Sequence, residues 1–296
     1  MENKNSSYPA WKRLLSIILV AVFFLSFLGT TAISCVSNTL WDRDFFVKSM
    51  TSRKYIEAVK EELVYQITSV CNKSGISADI VCKGITDNDV YSVCYQYYTS
   101  LFNVMNGTET EMITITYPSN NISEAVKNAC NNQENSHYID NDTQEKIISN
   151  LTNKITNSLN IVTSQRIVSY AQKAYQKVLA LQKFEKLKYI FAILSVISVA
   201  MVLLWTKRTT AGALYALSAT GLMSAGTLLM PLLMLKFFDL GSKIALNTST
   251  LKISIKYIID SVIQGCISTC LISFVLFAIL LVGASVLYSA NNNRKN

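Results

Sequence analysis

Four cysteines fall in one polar stretch of the chain: Cys71, Cys82, Cys94 and Cys130. An even set of thiols outside a reducing compartment points to disulfides, and four cysteines allow three pairings. Cys71–Cys82 with Cys94–Cys130 is the preferred pairing, because its first bracket closes a single interhelical loop. The spacings do not match a zinc site. Cys35, Cys266 and Cys270 sit instead in apolar runs, where a small buried residue is the ordinary role of a cysteine.

Other residues able to do chemistry are few. Asp87, Asn88 and Asp89 have the look of a metal loop, but the Gly and distal Glu of a calcium loop are missing. Behind Thr86 they suit the first turn of a helix, where the dipole favours negative charge. The single histidine, His137, lies in a polar loop with no Ser or Cys partner in view. Tyr91, Tyr95 and Tyr98 form a stripe at helical spacing. Core packing with hydroxyls at the rim is the commoner use of such a stripe, and a partner or ligand platform is the functional one. No catalytic residue, cofactor or metal ligand is assigned, and an enzyme is not expected.

The elements that position these residues begin with four apolar runs, Leu14 to Val36, Tyr189 to Trp205, Ala211 to Leu235 and Val262 to Tyr288, none carrying an ionisable Asp, Glu, Lys, Arg or His. A helix needs roughly 20 apolar residues to cross a bilayer core. The net charge of +8 collects at the edges of these runs, while 37–187 is near neutral with 15 Lys or Arg against 16 Asp or Glu. That is a pattern of membrane anchoring and not of a basic groove, so nucleic-acid binding is not expected.

The expected fold is an all-α membrane protein: four transmembrane helices with a mainly α-helical extracytoplasmic domain between spans 1 and 2. The plan is a cytoplasmic N-terminus over 1–13, span 1 over 14–36, the extracytoplasmic domain over 37–187, span 2 over 188–206, a turn over 207–210, span 3 over 211–235, an extracytoplasmic loop over 236–261, span 4 over 262–288 and a tail over 289–296. Lys12 and Arg13, Lys207 and Arg208, and Arg294 and Lys295 fall on one side of four spans, and the positive-inside rule makes that side cytoplasmic. Span 1 is read as an uncleaved anchor. A cleaved signal peptide, or acylation of Cys35, are its alternatives, and each exports the same domain.

Within that domain Tyr55, Ile56, Val59, Leu63, Ile67 and Val70 mark one amphipathic helix. A second carries the tyrosine stripe, extended to Phe102 and Met105, beside another of Val90, Cys94, Tyr97, Leu101 and Val104. A face that broad suits the central helix of a bundle. The residues from Met112 to Tyr117 suit a lone strand or an extended crossover, and Asp142 or Thr143 caps the next helix. Asn160 to Trp205 contains no Gly or Pro, which predicts one helix running from water into span 2, with the helix leaving span 1 as its partner. Pro231 is expected to break span 3, and the loop after it to lie at the membrane interface.

Span 3 carries the one packing motif in the apolar runs. Gly212, Ala216, Thr220 and Ser224 lie four apart, and Gly221 and Ala225 repeat the spacing. Small residues on one face let helices approach closely, within this chain or between copies. The expected function is a receptor-like or accessory interaction subunit whose extracytoplasmic domain binds a partner or ligand and couples to the membrane bundle. The alternative is a homo-oligomeric channel or small transporter. The partners expected are the lipid bilayer and either a second membrane protein or further copies of this chain.

Overall fold

The computed structural model of the chain describes residues 10–118, 120–131, 140–159, 165–205, 210–239, 243 and 249–293. Eleven α-helices cover most of them: α1 Ala10–Ser37, α2 Arg43–Met50, α3 Arg53–Ser74, α4 Ala78–Cys82, α5 Asp87–Asn106, α6 Asn120–Asn131, α7 Asn141–Leu159, α8 Gln165–Ala180, α9 Leu187–Trp205, α10 Thr210–Phe237 and α11 Ser249–Asn293. No strand occurs among the described residues. Four helical segments are long and apolar enough to cross a membrane, one each in α1, α10 and α11 and one ending in α9 at Trp205. The chain forms two compact units: residues 42–180 with 239–261, and residues 1–41 with 181–238 and 262–296.

In the first unit, local chemistry sets the helix ends. Asp42 caps α2, its carboxylate accepting from the Asp44 and Phe45 amides at 2.9 and 3.3 Å. Thr86 caps α5 as expected, accepting from the Asp89 amide at 3.1 Å. α7 is capped differently from the expectation: Asp140, not Asp142 or Thr143, accepts from the Thr143 amide at 3.2 Å. Its side chain stands where it meets the first free amides, which is what a cap requires. Helices α3 and α5 both stop on a left-handed glycine, Gly75 at φ +70° and Gly107 at φ +81°, a conformation cheap only for glycine.

The core of this unit is a single cluster. Tyr55, Val59, Leu63 and Ile67 of α3 meet Val90, Tyr97 and Tyr98 of α5, Ile122 and Val126 of α6, and Leu151 and Ile155 of α7. Burying each such side chain contributes about 1.5–3 kcal/mol. The segment from Met112 to Tyr117 is a crossover and not a strand. The Ser100 hydroxyl accepts from the Ile113 amide at 3.0 Å, and Thr156 Oγ1 accepts from the Tyr117 amide at 3.1 Å. Two side-chain oxygens thus satisfy backbone groups that a sheet partner would otherwise take.

Two expectations about the segment before span 2 are overturned. α8 and α9 are not one helix: between them Gln182–Phe184 is a 3-10 turn. The Phe184 and Glu185 amides bond three residues back, to Leu181 at 2.9 Å and Gln182 at 2.8 Å. Lys183, Glu185, Lys186 and Lys188 crowd this turn, with Lys188 and Glu185 paired at 2.7 Å. The expectation for Asn160 itself lies outside the described residues. α8 also packs on α5 rather than on the helix leaving span 1, with the Tyr175 and Phe102 rings 5.6 Å apart.

The unbroken helix is α11. Its 45 residues at about 1.5 Å each give roughly 68 Å, about twice a ~30 Å hydrocarbon core. The part holding Lys252, Lys256 and Asp260 belongs to the first unit and the uncharged part from Val262 to the second. Residues 249–261 are therefore helix, not interfacial loop. Pro231 leaves α10 continuous from Thr210 to Phe237, since neighbouring helices and side chains can re-satisfy the freed carbonyl in a membrane helix.

In the second unit α1 packs on α9 and α10. Phe23, Val202, Ala213 and Leu217 are its core. Ser26 and Ser195 hydroxyls meet at 2.9 Å, and Trp11 and Trp205 rings meet edge to face at 5.6 Å. Cys35, in the last turn of α1, lies 3.7 Å from the Cys270 sulfur.

Candidate functional site

Among the described residues α11 runs without a break from the core of the first unit into a span, so the residues it places in that core come first. Ser254 is buried and closes a ring of three hydroxyls with Tyr55 of α3 and Tyr98 of α5. The Tyr98 hydroxyl donates to Ser254 Oγ at 3.0 Å, Tyr55 lies 2.9 Å from the same oxygen, and the two tyrosine oxygens also contact each other. Ser254 passes its own proton to the Thr250 carbonyl at 2.9 Å. Three protons therefore serve the ring: one to Thr250, one from Tyr98 to Ser254, and one from Tyr55 to either neighbour. Every hydroxyl of the ring is satisfied, which is the condition for such a network to stabilise.

Around the ring the aromatic contacts continue. Tyr257 stands edge to face with Tyr55 at 5.4 Å and donates to the Lys54 carbonyl at 3.0 Å. Ile253 and Ile258 pack against the same core. Burial drives the Tyr55 and Tyr98 phenols well above their ordinary range, so the ring is neutral. No oxygen in it reaches solvent, and both tyrosines resist ionising, so it holds helices together and offers no nucleophile with a base.

The tyrosine stripe divides. Tyr98 is core, while Tyr91 and Tyr95 are 45% and 46% exposed, their rings stacked at 6.2 Å. Only those two form a surface of the kind expected. A groove of about 360 Å³ runs between α6 and α7, lined by Ser123, Lys127, Glu145, Ile148, Ser149 and Thr152 among others. The Thr152 hydroxyl is buried there without a partner among the described residues. Sequence reasoning missed this groove, because its residues are an ordinary solvated face on each helix alone. His137 lies outside the described residues.

The disulfide expectation is not supported. Cys71, Cys82, Cys94 and Cys130 are all free thiols, as are the other three cysteines. Cys71 and Cys94 face the core from α3 and α5, and burial pushes their thiols up to about 11 and about 12. Burial also raises Cys82 and Cys130. A thiol so seldom ionised is a poor nucleophile for exchange, and none has a partner at bonding distance. Alkylation of the unfolded, unreduced full chain therefore adds seven tags by intact mass. A shortfall in even numbers shows a disulfide and overturns this description.

No family model, curated protein or solved structure matches the chain.

The small residues of span 3 also divide. Gly221, Ser224 and Ala225 are buried within the chain, and the Ser224 hydroxyl lies 3.3 Å from the Phe24 carbonyl. Gly212 comes near the Tyr288 ring. Ala216 is exposed, and Thr220 back-bonds its own helix at the Ala216 carbonyl, 2.7 Å away. Among the described residues no group of three His, Cys, Asp or Glu is arranged to hold a metal ion.

Proposed function

We propose that this chain is a receptor-like or accessory subunit of the membrane, with its first unit outside the cytoplasm. The observation that supports it most is α11, one helix that gives Ser254 and Tyr257 to the core of the helical unit and continues as an apolar span. A load on that core acts on a helix with no break before the bilayer, whereas the α8–α9 route passes through a 3-10 turn. The groove between α6 and α7, with Lys127 and Glu145 at its walls, and the exposed Tyr91–Tyr95 pair are the surfaces for a ligand or partner. The charge at the span edges supports the extracytoplasmic placement through the positive-inside rule. The channel reading draws on the exposed Ala216 and the half-buried Thr220, which leave a small-residue strip for another copy.

One experiment separates the two. Photocrosslinking residues placed at Tyr95 and at Ala216 are activated in intact membranes, while a membrane-impermeant amine reagent marks the exposed Lys73 and Lys127 from outside. Labelled lysines and a discrete heterologous adduct at Tyr95 are expected. Unlabelled lysines in intact cells, with labelling after lysis, overturn the placement. Self-adducts at Ala216 alone move the assignment to the homo-oligomer.

A further inference from the structure

The membrane-spanning unit contains a cavity of about 420 Å³ that the packing of its own helices leaves open. Its inner wall is made of buried residues, Phe23 of α1, Leu217 and Ser218 of α10 and Ala284 of α11, each no more than 5% exposed. Its rim is made of exposed ones, Ile279 and Leu287 of α11. The space is thus deep at one side and open at the other, and Ser218 is its one polar side chain. Gly283 lines it, and a Cβ there would meet nothing within 4 Å. This glycine serves no turn and no close approach, and in mid-helix it costs about 1 kcal/mol against alanine. A large side chain here would fill the space, whereas a single Cβ would not.

We propose that the cavity binds one acyl chain of a membrane phospholipid. An apolar space of this kind excludes water, and a dry cavity of about 150 Å³ accepts one benzene ring. On that scale this one takes roughly 15 carbon atoms, the size of one acyl chain. A void left empty forfeits the dispersion contacts of its whole lining. A neighbouring helix is about 10 Å across with its side chains, far stouter than a single methylene chain, and the space has both a buried inner wall and an exposed rim. A flexible methylene chain from the surrounding bilayer reaches both. The proposal needs only the four spans and not the receptor reading.

Native mass spectrometry of the full chain, released from a mild detergent, is expected to show one retained diacyl phospholipid. Gly283→Phe fills the space and loses that lipid, while Gly283→Ala keeps it. Wild type released without lipid, lipid kept equally by Gly283→Phe, or a retained mass that is not a diacyl phospholipid overturns the proposal. If circular dichroism shows that Gly283→Phe fails to fold, wild type alone decides. A phospholipid with a photoactivatable acyl chain, in vesicles holding the full chain, should label Phe23 or Leu217. Labels confined to exposed residues mean ordinary surrounding lipid and sink the idea.

Discussion

Ser254→Val lowers the stability of the helical unit by about 1–3 kcal/mol, the cost of orphaning a buried hydroxyl. The proton count says which one. Without Ser254 Oγ, Tyr55 still donates to Tyr98, but the Tyr98 proton has no acceptor within the ring. Tyr98→Phe should cost less, because Tyr55 then donates to Ser254 at its present 2.9 Å and no proton is stranded. That order, serine worse than tyrosine, is the reverse of what side-chain size predicts. It is read from denaturation of the full chain in detergent, followed by near-ultraviolet dichroism of the tyrosines. The contribution is flat through neutral pH. Because burial raises both phenols, it falls only when pH rises into the ordinary phenol range, where the unfolded tyrosines ionise first. A Ser254→Val protein as stable as wild type would remove residues 249–261 from the core and return them to the interfacial loop expected from sequence.

That expectation failed for a physical reason. Leu251, Ile253 and Ile255 alternate as a strand or interfacial segment does, and Lys252, Lys256 and Asp260 give the stretch a polar sum. The helix is decided by Ser254, Tyr257 and Ile258, whose partners Tyr55 and Tyr98 lie far away in the chain, and no local period reveals them. The four apolar runs were legible because hydrocarbon tolerates no charge over about 20 residues. The Thr86 cap and the Gly75 and Gly107 stops were legible because each acts within one turn. The α8–α9 join misled because continuity was inferred from the absence of Gly and Pro, whereas the three-residue hydrogen bonds at Phe184 and Glu185 interrupt the α-helix without either. The cysteines misled because pairing was argued from count and compartment. Whether two thiols can meet depends on the directions in which α3 and α4 point Cys71 and Cys82, and α5 and α6 point Cys94 and Cys130, which is tertiary. The tyrosine stripe was half legible: its spacing placed three rings on one face, but the neighbours of α5 cover that face only from Tyr98 onward.

Gly221→Leu should disrupt the membrane-spanning unit, and Ala216→Leu should not. A Cβ at Gly221 stands 2.4 Å from the Phe277 ring, far inside contact distance, so the larger side chain must displace that ring or separate α10 from α11. Overpacking of this kind costs about 1–3 kcal/mol and more where the backbone has to move. Phe277 also stacks edge to face on Phe27 at 4.9 Å, so its displacement reaches α1. Leucine at Ala216 points away from the buried face and meets lipid, where it is as soluble as alanine or more so. The check is the thermal aggregation midpoint in detergent, read by size exclusion, with Gly221→Leu/Phe277→Ala as the compensating pair. Recovery in the pair shows that steric conflict with this ring, and not loss of the glycine itself, is the cause. The two positions together decide what the small residues of span 3 are for. If Gly221→Leu is tolerated while Ala216→Leu shifts the protein to a smaller assembly, the motif serves contacts between copies, and the homo-oligomeric reading gains its first direct support. If the order is as expected, Gly221, Ser224 and Ala225 are occupied in holding this chain's own helices together, and of the motif only the exposed Ala216 and the half-buried Thr220 remain for a partner.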